Sequence, residues 1–573
     1  MDQEKLQCKI CNQLSLIKFI SFGKMPAANA YVKEADLKKL EYSYNMEVGF
    51  CENCKMVQLI NIVPYDKYIV PDETGKTHYA FFSSTSKFME QHFAEIAKDI
   101  EGRFLDSNSK ILETGSNDGI FLRNFKNHQV LGIEPSQNVA ELAIQQGIPT
   151  ITEFFTEELA KKILTEKGSF RTIFSANVTL NIIDLHSYMK GITSLLDEKG
   201  VFITQEPYLL DILETNTYDQ IYDEHIWYFS LTSLSNLYRM HGLEIFDAEK
   251  KSVHGGSMRV YACKPGVYQK TERLKNYLDQ ELTRNINNIQ PYLEFAKNVE
   301  INKKKLIELL SNLKSQGKKI VGYGAASKGT IIQNYCNLDN NLINYISDST
   351  PFKQGLYTPG KNIPIVSPET FHNDNEKPDY ALLFAWNHAK EILEKEKNFL
   401  EKGGKFIMPF PEPNIVPLPL KKTFTKRIPG ILIKKLTVFA NDQGYLFETL
   451  RTDDRIFDKK FGQVLVSEVY PGIIKGLHRH KKQTDYTTCI KGNIKYVAIK
   501  EINGELLINT FVIGEKNPIL IKVPPGIWHG YTPVSNESTT VLHTMDLAYD
   551  PKDSDTDRVD PFKFGDFWTA NHG

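Results

Sequence analysis

Strand and helix patterns alternate through the middle of this chain, and this alternation constrains its fold more than any other feature. Seven short apolar runs, each typical of a buried strand, begin at Lys110, Val130, Thr172, Gly200, Lys319, Tyr345 and Tyr380. Strands that alternate with helical segments predict mostly parallel sheets covered by helices. A long polar–apolar helical pattern over 270–315 separates the runs into two sets, so we expect two Rossmann-like blocks.

The chain changes character after a cluster of prolines. Five prolines lie close together, followed by basic residues: Pro409, Pro411, Pro413, Pro417 and Pro419, then Lys421, Lys422, Lys426 and Arg427. Closely spaced prolines cannot continue a helix or a central strand, so this stretch predicts an extended spacer. Beyond about 437, short runs rich in Val, Ile, Tyr and Thr are separated by Gly and Pro. This pattern predicts a small antiparallel β sandwich or barrel.

Four cysteines form two pairs near the start of the chain. Cys8 and Cys11 make one CxxC pair, and Cys51 and Cys54 make another. Four thiolates in two such pairs suit a closed tetrahedral zinc site, which leaves no open position for chemistry. We therefore predict a structural zinc module; the alternative is four unrelated buried cysteines.

Length and charge exclude several classes. At roughly 150 residues per domain, 573 residues predict three to four domains. The 69 basic and 70 acidic residues give a net charge of −1. This balance does not favour a nucleic-acid or membrane-surface partner. The sequence has no run of 18 uncharged apolar residues, and its first ten residues lack the apolar core of a signal peptide. We therefore expect a cytoplasmic protein without membrane or nucleic-acid partners.

These patterns predict a multidomain fold class: a four-cysteine zinc module, two Rossmann-like α/β domains and a C-terminal antiparallel β sandwich or barrel. The predicted bounds are 1–75 for the zinc module, 76–265 and 266–415 for the α/β domains, 416–436 for the linker and 437–573 for the C-terminal β domain.

A glycine-containing turn follows the first predicted strand of the α/β region. Glycines there allow a ligand to approach the backbone and the helix start, and an acidic residue after the second strand can accept hydrogen bonds from a ribose. The turn is not GxGxxG, which argues against a dinucleotide. The glycine turn together with the acidic residue looks like the cofactor site of S-adenosylmethionine-dependent methyltransferases. The alternative is a structural turn in another Rossmann-like fold. The predicted cofactor-binding residues are Glu113, Gly115, Asn117, Asp118, Gly119 and Glu134.

Two further motifs extend this resemblance. The segments are Tyr218–Phe229, which holds a histidine beside an acid and tyrosines, and His254-Gly-Gly-Ser-Met-Arg259. With the cysteine pairs and the glycine turn, residues 1 to about 415 resemble the sugar C-3 methyltransferases of deoxysugar biosynthesis. The resemblance implies methylation at C-3 of a nucleotide-linked 4-keto-6-deoxy sugar, usually a dTDP sugar.

The resemblance also implies residue roles. His225 would be the base that removes the acidic proton next to the ketone. Tyr222, Glu224, Tyr79 and Asn177 match other active-site positions. The family often carries a histidine four residues beyond that asparagine, where this chain has Asn181.

Three residues of the methyltransferase-like part are predicted to bind the substrate. Arg259 belongs to the second motif, and Ser327 and Lys328 lie in a glycine-containing turn at a predicted helix start. Backbone amides and a lysine at a helix start suit an anion, so diphosphate contact fits the family. The alternative for this turn is simple packing without a ligand.

The C-terminal block resembles the dTDP-4-dehydrorhamnose 3,5-epimerase family, which has a cupin-like jelly roll and is usually dimeric. The motifs are Lys475-Gly-Leu-His478 and Pro524-Pro-Gly-Ile-Trp-His529-Gly. The resemblance implies that His478 is the base, that Tyr549 returns the proton and that Asp560 orients the base. Lys475 and His529 would bind the substrate, and a homodimer would form through the cupin.

This block departs from the family where charge matters. Lys475 and Gln443 stand where the family has arginines. Asp485 stands where the family has the lysine that would steady the enolate oxygen. The same residues also fit a metal-binding cupin pattern, in which His478, His480, Asp485 and His529 would be ligands. A binding or dimerisation module without catalysis is the remaining alternative.

Both predicted reactions remove a proton beside a C-4 ketone. We therefore predict a bifunctional enzyme that methylates C-3 and epimerises one carbon of a nucleotide-linked 4-keto deoxysugar, with S-adenosylmethionine and structural Zn²⁺ as cofactors. C-5 is the expected centre of epimerisation, because methylation leaves C-3 quaternary. The alternative is a single-function methyltransferase with a non-catalytic or metal-binding cupin.

Overall fold

The computed structural model describes residues 5–67, 83–85, 87–251, 253–374, 377–416, 421–424, 428–502, 504–534, 537–552 and 554–569. The chain divides into two compact units, Met1–Leu418 and Pro419–Gly573, which are treated separately below. Across these described ranges, no helix has the length and apolar character needed to cross a membrane.

The first unit begins with a five-stranded antiparallel sheet. Its strands, in spatial order, are Lys5–Gln7, Leu14–Pro26, Ser43–Cys51, Val57–Leu59 and Trp227–Tyr228. The last strand comes from the predicted methyltransferase core and pairs with Val57–Leu59. The zinc module is therefore not closed within residues 1–75, because one edge of its sheet is completed by a strand far along the chain.

A seven-stranded sheet forms the middle of this unit. Its spatial order is Glu244–Lys251, Ser257–Cys263, Leu196–Pro207, Phe170–Ala176, Lys110–Thr114, Gln129–Ile133 and Thr150–Ile151. The five strands from Leu196–Pro207 onward are parallel, as the β/α alternation predicts. The accompanying helices are Lys87–Phe104, Gln137–Gln145, Glu157–Lys167, Leu185–Leu195, Leu209–Thr215 and Leu231–Met240.

A second, mostly parallel sheet completes the unit. Its strands, in spatial order, are Ile365–Val366, Ile346–Ser347, Ile320–Tyr323, Tyr380–Leu383, Lys405–Met408 and Asn414–Ile415. Its helices are Glu272–Thr283, Gln290–Ser315, Ser327–Tyr335, Pro368–Asn373, Ala389–Lys395 and Lys397–Glu401. The helical pattern predicted over 270–315 is thus two helices. Asn285 adopts the left-handed conformation between them, at φ 58°, which an α-helix cannot continue through.

The second unit is a sandwich of two sheets. One has the order Lys421–Phe424, Glu505–Gly514, Asn493–Ile502, Trp528–Pro533, Lys475–His480 and Thr556–Arg558. The other has the order Leu432–Lys435, Ile519–Val523, Asp485–Lys491, Thr539–Met545 and Gln463–Val469. A separate hairpin pairs Val438–Asn441 with Gly444–Phe447. Fully buried side chains from both sheets, such as Ile494 and Ile521, form one core.

The predicted spacer over 416–436 differs from the structure. Within it, Lys421–Phe424 and Leu432–Lys435 are strands, one in each sheet of the sandwich. Ile428 and Ile431 between them are fully buried in its core. The prolines and lysines concealed this role, because both short strands contain two adjacent lysines and resemble a solvated linker in composition.

Candidate functional sites

The four cysteines of the CxxC pairs converge. The Sγ atoms of Cys8 and Cys54 lie 3.6 Å apart, as do those of Cys11 and Cys51, and all four lie within 4.8 Å of one another. Bonds of about 2.3 Å from a tetrahedral zinc ion would place its sulfur ligands about 3.8 Å apart. The described geometry therefore fits a four-thiolate zinc site, with Cys8, Cys51 and Cys54 buried.

Polar groups around the cysteines suit thiolates. Gln58 Nε2 donates to Cys8 Sγ at 3.1 Å, and Ser15 Oγ lies 3.1 Å from Cys51 Sγ. The backbone N–H groups of Ile10 and Cys54 point at sulfurs of their own loops at 3.4 Å. Such contacts orient metal ligands and disperse their charge. Gln58 and Ser15 lack any sequence signal of this role, because neither has the spacing of a ligand.

The glycine turn after Lys110–Thr114 has no space for side chains at its glycines. Gly115 and Gly119 have positive φ, and a Cβ at Gly115 would lie 2.2 Å from Val178 Cγ2. Glu113 Oε2 and Asp118 Oδ1 are buried and have no hydrogen-bond partner within the described part of the chain. Buried acceptors without donors, beside a turn that excludes side chains, fit a ligand with hydroxyl or ammonium groups such as S-adenosylmethionine.

Glu134 makes two hydrogen bonds to the backbone near the turn, and its predicted ribose contact stays a prediction. Its Oε2 accepts the N–H of Asn117 at 3.0 Å, and its Oε1 accepts the N–H of Ser136 at 2.9 Å. Burial raises the pKa of this carboxyl, while these backbone hydrogen bonds lower it. Glu134 therefore braces the turn, and a ribose contact would use the remaining lone pairs of the same oxygens.

The turn is also fastened to a segment that precedes helix Lys87–Phe104. Asn117 Oδ1 accepts the N–H of Ser83 at 3.0 Å, and Asp118 Oδ2 accepts Ser84 Oγ at 2.6 Å.

Burial raises the pKa of Glu113 well above its ordinary value, and the charges of Glu134 and Asp118 raise it further. Tyr79, predicted to be catalytic, lies outside the described residues.

His225 has the surroundings of a general base. Its Nδ1 lies 2.8 Å from the carbonyl oxygen of Gln220, an acceptor, so the ring proton sits on Nδ1 and the lone pair on Nε2. The ring of Tyr222 lies 4.0 Å away between centroids, and both side chains are 9% exposed. The segment around His225 thereby fixes both the tautomer and the orientation of the imidazole.

Glu224 lies in a bridge that the sequence did not reveal. Asn29 Nδ2 donates to Glu224 Oε1 at 2.6 Å, and Ser327 Oγ donates to Asn29 Oδ1 at 2.8 Å. Burial raises the pKa of Glu224, and the hydrogen bond from Asn29 opposes this shift. Three segments, each from a different predicted domain, therefore meet at one amide.

Lys328 lies in the same part of this unit, close to Asp219 and Trp386. Its Nζ is 5.5 Å from the centroid of the Trp386 ring, and Trp386 Nε1 donates to Asp219 Oδ2 at 2.6 Å. Burial raises the pKa of Asp219 to about 7, while the charge of Lys328 lowers it. Trp386 also packs against Gly255, where a Cβ would lie 2.6 Å from the indole. Trp386 thus joins the two α/β blocks.

Arg259 is 3% exposed, and its Nη2 donates to Gln205 Oε1 at 2.8 Å. It lines a cavity of about 330 Å³ with His92 and Lys251. Among the described residues that line this cavity, Arg259 is the only predicted site residue.

Asn177, another predicted active-site residue, comes directly after strand Phe170–Ala176 and has a positive φ of 54°.

In the second unit, three histidines surround one carboxylate. His480 Nε2 and His529 Nε2 lie 3.4 and 3.2 Å from Asp485 Oδ2, and the rings of His478 and His529 are 4.3 Å apart between centroids. Burial is the main cause that lowers the pKa of His478, and the neighbouring His529 lowers it further, to about 2. This imidazole is therefore neutral. Burial alone would raise the pKa of Asp485, but the hydrogen bonds of His480 and His529 hold it below its ordinary value.

The other predicted residues of this unit do not join that cluster. Tyr549 is 68% exposed, and exposed Asp560 accepts the N–H of Phe562 at 2.7 Å. Lys475 Nζ donates to Ser467 Oγ at 2.5 Å. The roles of Tyr549, Asp560 and Lys475 stay predictions. His543, which the sequence did not single out, is buried with its Nε2 3.0 Å from Tyr531 Oη.

The fold and these sites define a class: an α/β methyltransferase with a four-cysteine cluster, joined to a cupin-type β sandwich. Family models match the chain along its whole length: a zinc binding domain over 8–68, a methyltransferase domain over 87–248, a C-methyltransferase C-terminal domain over 252–411 and dTDP-4-dehydrorhamnose 3,5-epimerase over 425–569.

Two curated relatives divide the chain in the same way. The C-methyltransferase NovU of Streptomyces niveus is 33% identical over 414 residues, which are 72% of this chain and 96% of NovU. The spore coat polysaccharide biosynthesis protein SpsL of Bacillus subtilis is 31% identical over 137 residues, 23% of this chain and 89% of SpsL. The chain therefore belongs to the C-methyltransferase family, and its C-terminal part belongs to the dTDP-4-dehydrorhamnose 3,5-epimerase family.

Solved structures also match the second unit. A dTDP sugar isomerase from Desulfovibrio desulfuricans G20 is 22% identical and covers 24% of this chain and 92% of its own, with a TM-score of 0.23. The novobiocin-cluster 4-keto-6-deoxy sugar epimerase NovW of Streptomyces spheroides is 18% identical, covering 25% of this chain and 76% of its own, also with a TM-score of 0.23.

Proposed function

We propose that this enzyme methylates C-3 and epimerises C-5 of a nucleotide-linked 4-keto-6-deoxy sugar, with dTDP as the nucleotide. The observation that carries the proposal is the fixed tautomer of His225, whose Nδ1 faces the Gln220 carbonyl at 2.8 Å. A buried imidazole with its lone pair on Nε2 suits the removal of a proton from carbon beside a ketone. The similarity to the C-methyltransferase NovU and the match to the dTDP-4-dehydrorhamnose 3,5-epimerase family support these two classes of reaction.

In the first reaction, His225 takes the C-3 proton, and the electron pair of that C–H bond becomes part of an enolate. Bound S-adenosylmethionine supplies an electrophilic methyl group at this carbon. Tyr222 packs on the base, and Glu224 is oriented by Asn29. We assign the sugar diphosphate to Lys328 and Ser327, at the start of helix Ser327–Tyr335, where an anion is favoured.

We assign the four cysteines a structural role. A closed four-thiolate site has no open position for substrate, so Cys8, Cys11, Cys51 and Cys54 would hold Zn²⁺ and fix the loops of the first sheet.

In the second reaction, His478 removes the C-5 proton of the same class of sugar. In this proposal the base is the imidazole of His478, whose ring lies 4.3 Å from that of His529 between centroids.

We also propose a homodimer formed by the second unit. Strand Gln463–Val469 is an edge strand, and it exposes Val464, Leu465 and Val466 by about half. Exposed apolar edge strands favour pairing with a second copy.

The test uses the full chain with dTDP-4-keto-6-deoxyglucose and its 3-amino and 3-deoxy relatives in heavy water. Mass spectrometry and NMR follow the sugar with and without S-adenosylmethionine. We expect one added methyl at C-3 only with S-adenosylmethionine, and deuterium at C-5 without it. A methyl gain without C-5 exchange would leave a methyltransferase whose cupin is not an epimerase. No methyl gain with any of these sugars would contradict the first reaction.

A further inference from the structure

We propose that His480, Asp485 and His529 bind a divalent first-row transition-metal cation beside His478. His480 Nε2 and His529 Nε2 lie 3.4 and 3.2 Å from Asp485 Oδ2. With metal–ligand bonds of about 2.1 Å, tetrahedral ligands lie about 3.4 Å apart, which these two distances match. All three residues are nearly buried, at 9%, 3% and 3% exposed, so water does not satisfy their polar atoms.

An outer contact gives His529 the tautomer that a metal requires. Its Nδ1 lies 2.9 Å from the carbonyl oxygen of Ile527, which only accepts hydrogen bonds, so Nδ1 carries a proton. A ligating histidine characteristically donates its other N–H to a carbonyl or carboxylate, as His529 does. His480 Nδ1 lies 3.3 Å from Thr556 Oγ1 and 3.7 Å from Asp555 Oδ2.

A cation suits the centre of this arrangement. In its absence, each Nε2 needs a proton to hydrogen-bond to Asp485 Oδ2, and a bound cation would take the place of those protons. Gln483 Nε2 donates to the other carboxylate oxygen, Oδ1, at 2.7 Å, and lies 3.3 Å from His480 Nε2, a contact that a metal-bound nitrogen would give up. Imidazole with carboxylate is a ligand set for Zn²⁺, Fe²⁺, Mn²⁺ or Ni²⁺.

The cation also resolves a difficulty in the proposed epimerisation, on which this part of the inference rests. Asp485 stands where the resembled family has a lysine that steadies the enolate oxygen, and a bare carboxylate would repel that oxygen. A cation held by Asp485 restores the positive charge. The C-5 proton passes to His478, the C–H pair forms the C4–C5 double bond, and the carbonyl pair moves to O-4, where the cation stabilises it. Return of a proton to the other face of C-5 restores the ketone.

Metal stoichiometry tests the binding independently of any sugar reaction. The full chain is stripped with a chelator, reconstituted with Zn²⁺ or Co²⁺, desalted and analysed for metal content and cobalt absorption. We expect two equivalents per chain, one with thiolate-to-cobalt charge-transfer bands and one without them. Asp485→Asn and His480→Asn should each bind one equivalent and keep the thiolate bands. One equivalent in the wild type, or two in Asp485→Asn, would overturn the proposal.

Two further variants separate metal loss from misfolding and from the role of the base. His543→Gln changes another buried histidine of the same unit, bonded to Thr487 and Tyr531, and should keep two equivalents. His478→Asn should also keep two equivalents, while a loss there would overturn the assignment of three protein ligands. If C-5 exchange in the wild type persists at full rate with only the thiolate site loaded, the cation has no part in the reaction.

Discussion

Asn29 donates a hydrogen bond from its Nδ2 to Glu224 Oε1 at 2.6 Å, although the two residues are 195 positions apart. The same amide accepts Ser327 Oγ at 2.8 Å. One side chain thus joins the cysteine-bearing segment, the base-bearing segment and the second α/β sheet. Because Glu224 is buried and next to His225, the position of the proposed base depends on this amide.

Replacing Asn29 tests that dependence. Asn29→Ala leaves a buried carboxylate without its donor, which costs about 1–3 kcal/mol of unfolding free energy. We expect methyl transfer to fall by roughly 10- to 100-fold through misplacement of the base. Denaturant titration and single-turnover methyl transfer measure the two effects. Asn341→Ala, at an exposed asparagine, is the control, and equal behaviour of both variants would contradict the bridge.

His225→Asn should abolish methyl transfer while leaving the cofactor site intact. General bases contribute about 10²- to 10⁴-fold, so we expect a rate loss within that range. Binding of S-adenosylmethionine, measured by calorimetry, should stay within about twofold, since no described contact joins His225 to the glycine turn. A full methyl transfer rate in this variant would assign the base to another residue.

The stability of the protein should fall as the pH rises toward neutrality. Burial, then the charge of Glu224, raises the pKa of Asp223 from 3.8 to about 7 in the folded protein. The folded state therefore binds this proton more tightly than the unfolded chain. Its stabilising contribution is full below about pH 4 and is lost as the pH rises to about 7.

Asp223→Asn keeps the acceptor for Ala28 N–H but removes the titration. Between pH 5 and 7, we expect the slope of unfolding free energy against pH to become less steep by up to about 1.4 kcal/mol per pH unit. Chemical denaturation at several pH values measures the slope. Exposed Asp442→Asn should leave it unchanged, and an unchanged slope in Asp223→Asn would refute the assignment.

Loss of the thiolate site should destabilise the first unit. Cys51→Ser removes one of four converging ligands, and loss of a structural metal costs about 4 kcal/mol or more. We expect the thiolate-to-cobalt bands to disappear and thermal unfolding to begin at a lower temperature. Cys263→Ser, at a buried cysteine outside the cluster, should keep the bands. Full metal content in Cys51→Ser would argue against the four-cysteine site.

The proposed dimer depends on an exposed apolar edge strand. Leu465→Glu places a charge on strand Gln463–Val469, where a second copy would bury it. We expect analytical ultracentrifugation to show a dimer for the wild type and a monomer for this variant. Val512→Glu, at a valine 50% exposed on the other sheet, should remain dimeric. A monomeric wild type would end this proposal.

Most of the fold could be predicted from local sequence patterns. The strand predicted at Lys110 and its glycine turn depend on neighbouring residues, and the structure has them at Lys110–Thr114 and Gly115. Strand Trp227–Tyr228 could not be predicted, because two residues have no periodicity and the partner strand lies at Val57–Leu59. The two helices within 270–315 also share one apolar pattern, which conceals the turn at Asn285.

Long-range contacts explain what the sequence did not reveal about the sites. Trp386 reaches Asp219 across 167 positions, and no spacing rule relates such residues. In the second unit, the predicted spacing did bring His478, His480, Asp485 and His529 together. His478 and His480 lie two residues apart on one strand and therefore share a face, so the alternation of side chains along the strand sets part of the cluster's geometry.

The most direct measurement follows solvent deuterium in the sugar, carbon by carbon, with the two proposed bases changed one at a time. The full chain and its His225→Asn and His478→Asn variants are incubated with dTDP-4-keto-6-deoxyglucose in heavy water without S-adenosylmethionine, and NMR locates the label. We predict that His225→Asn loses exchange at C-3 and keeps it at C-5, and that His478→Asn does the reverse. If either variant keeps both exchanges, or loses both while folded, the account of two bases in two units is wrong.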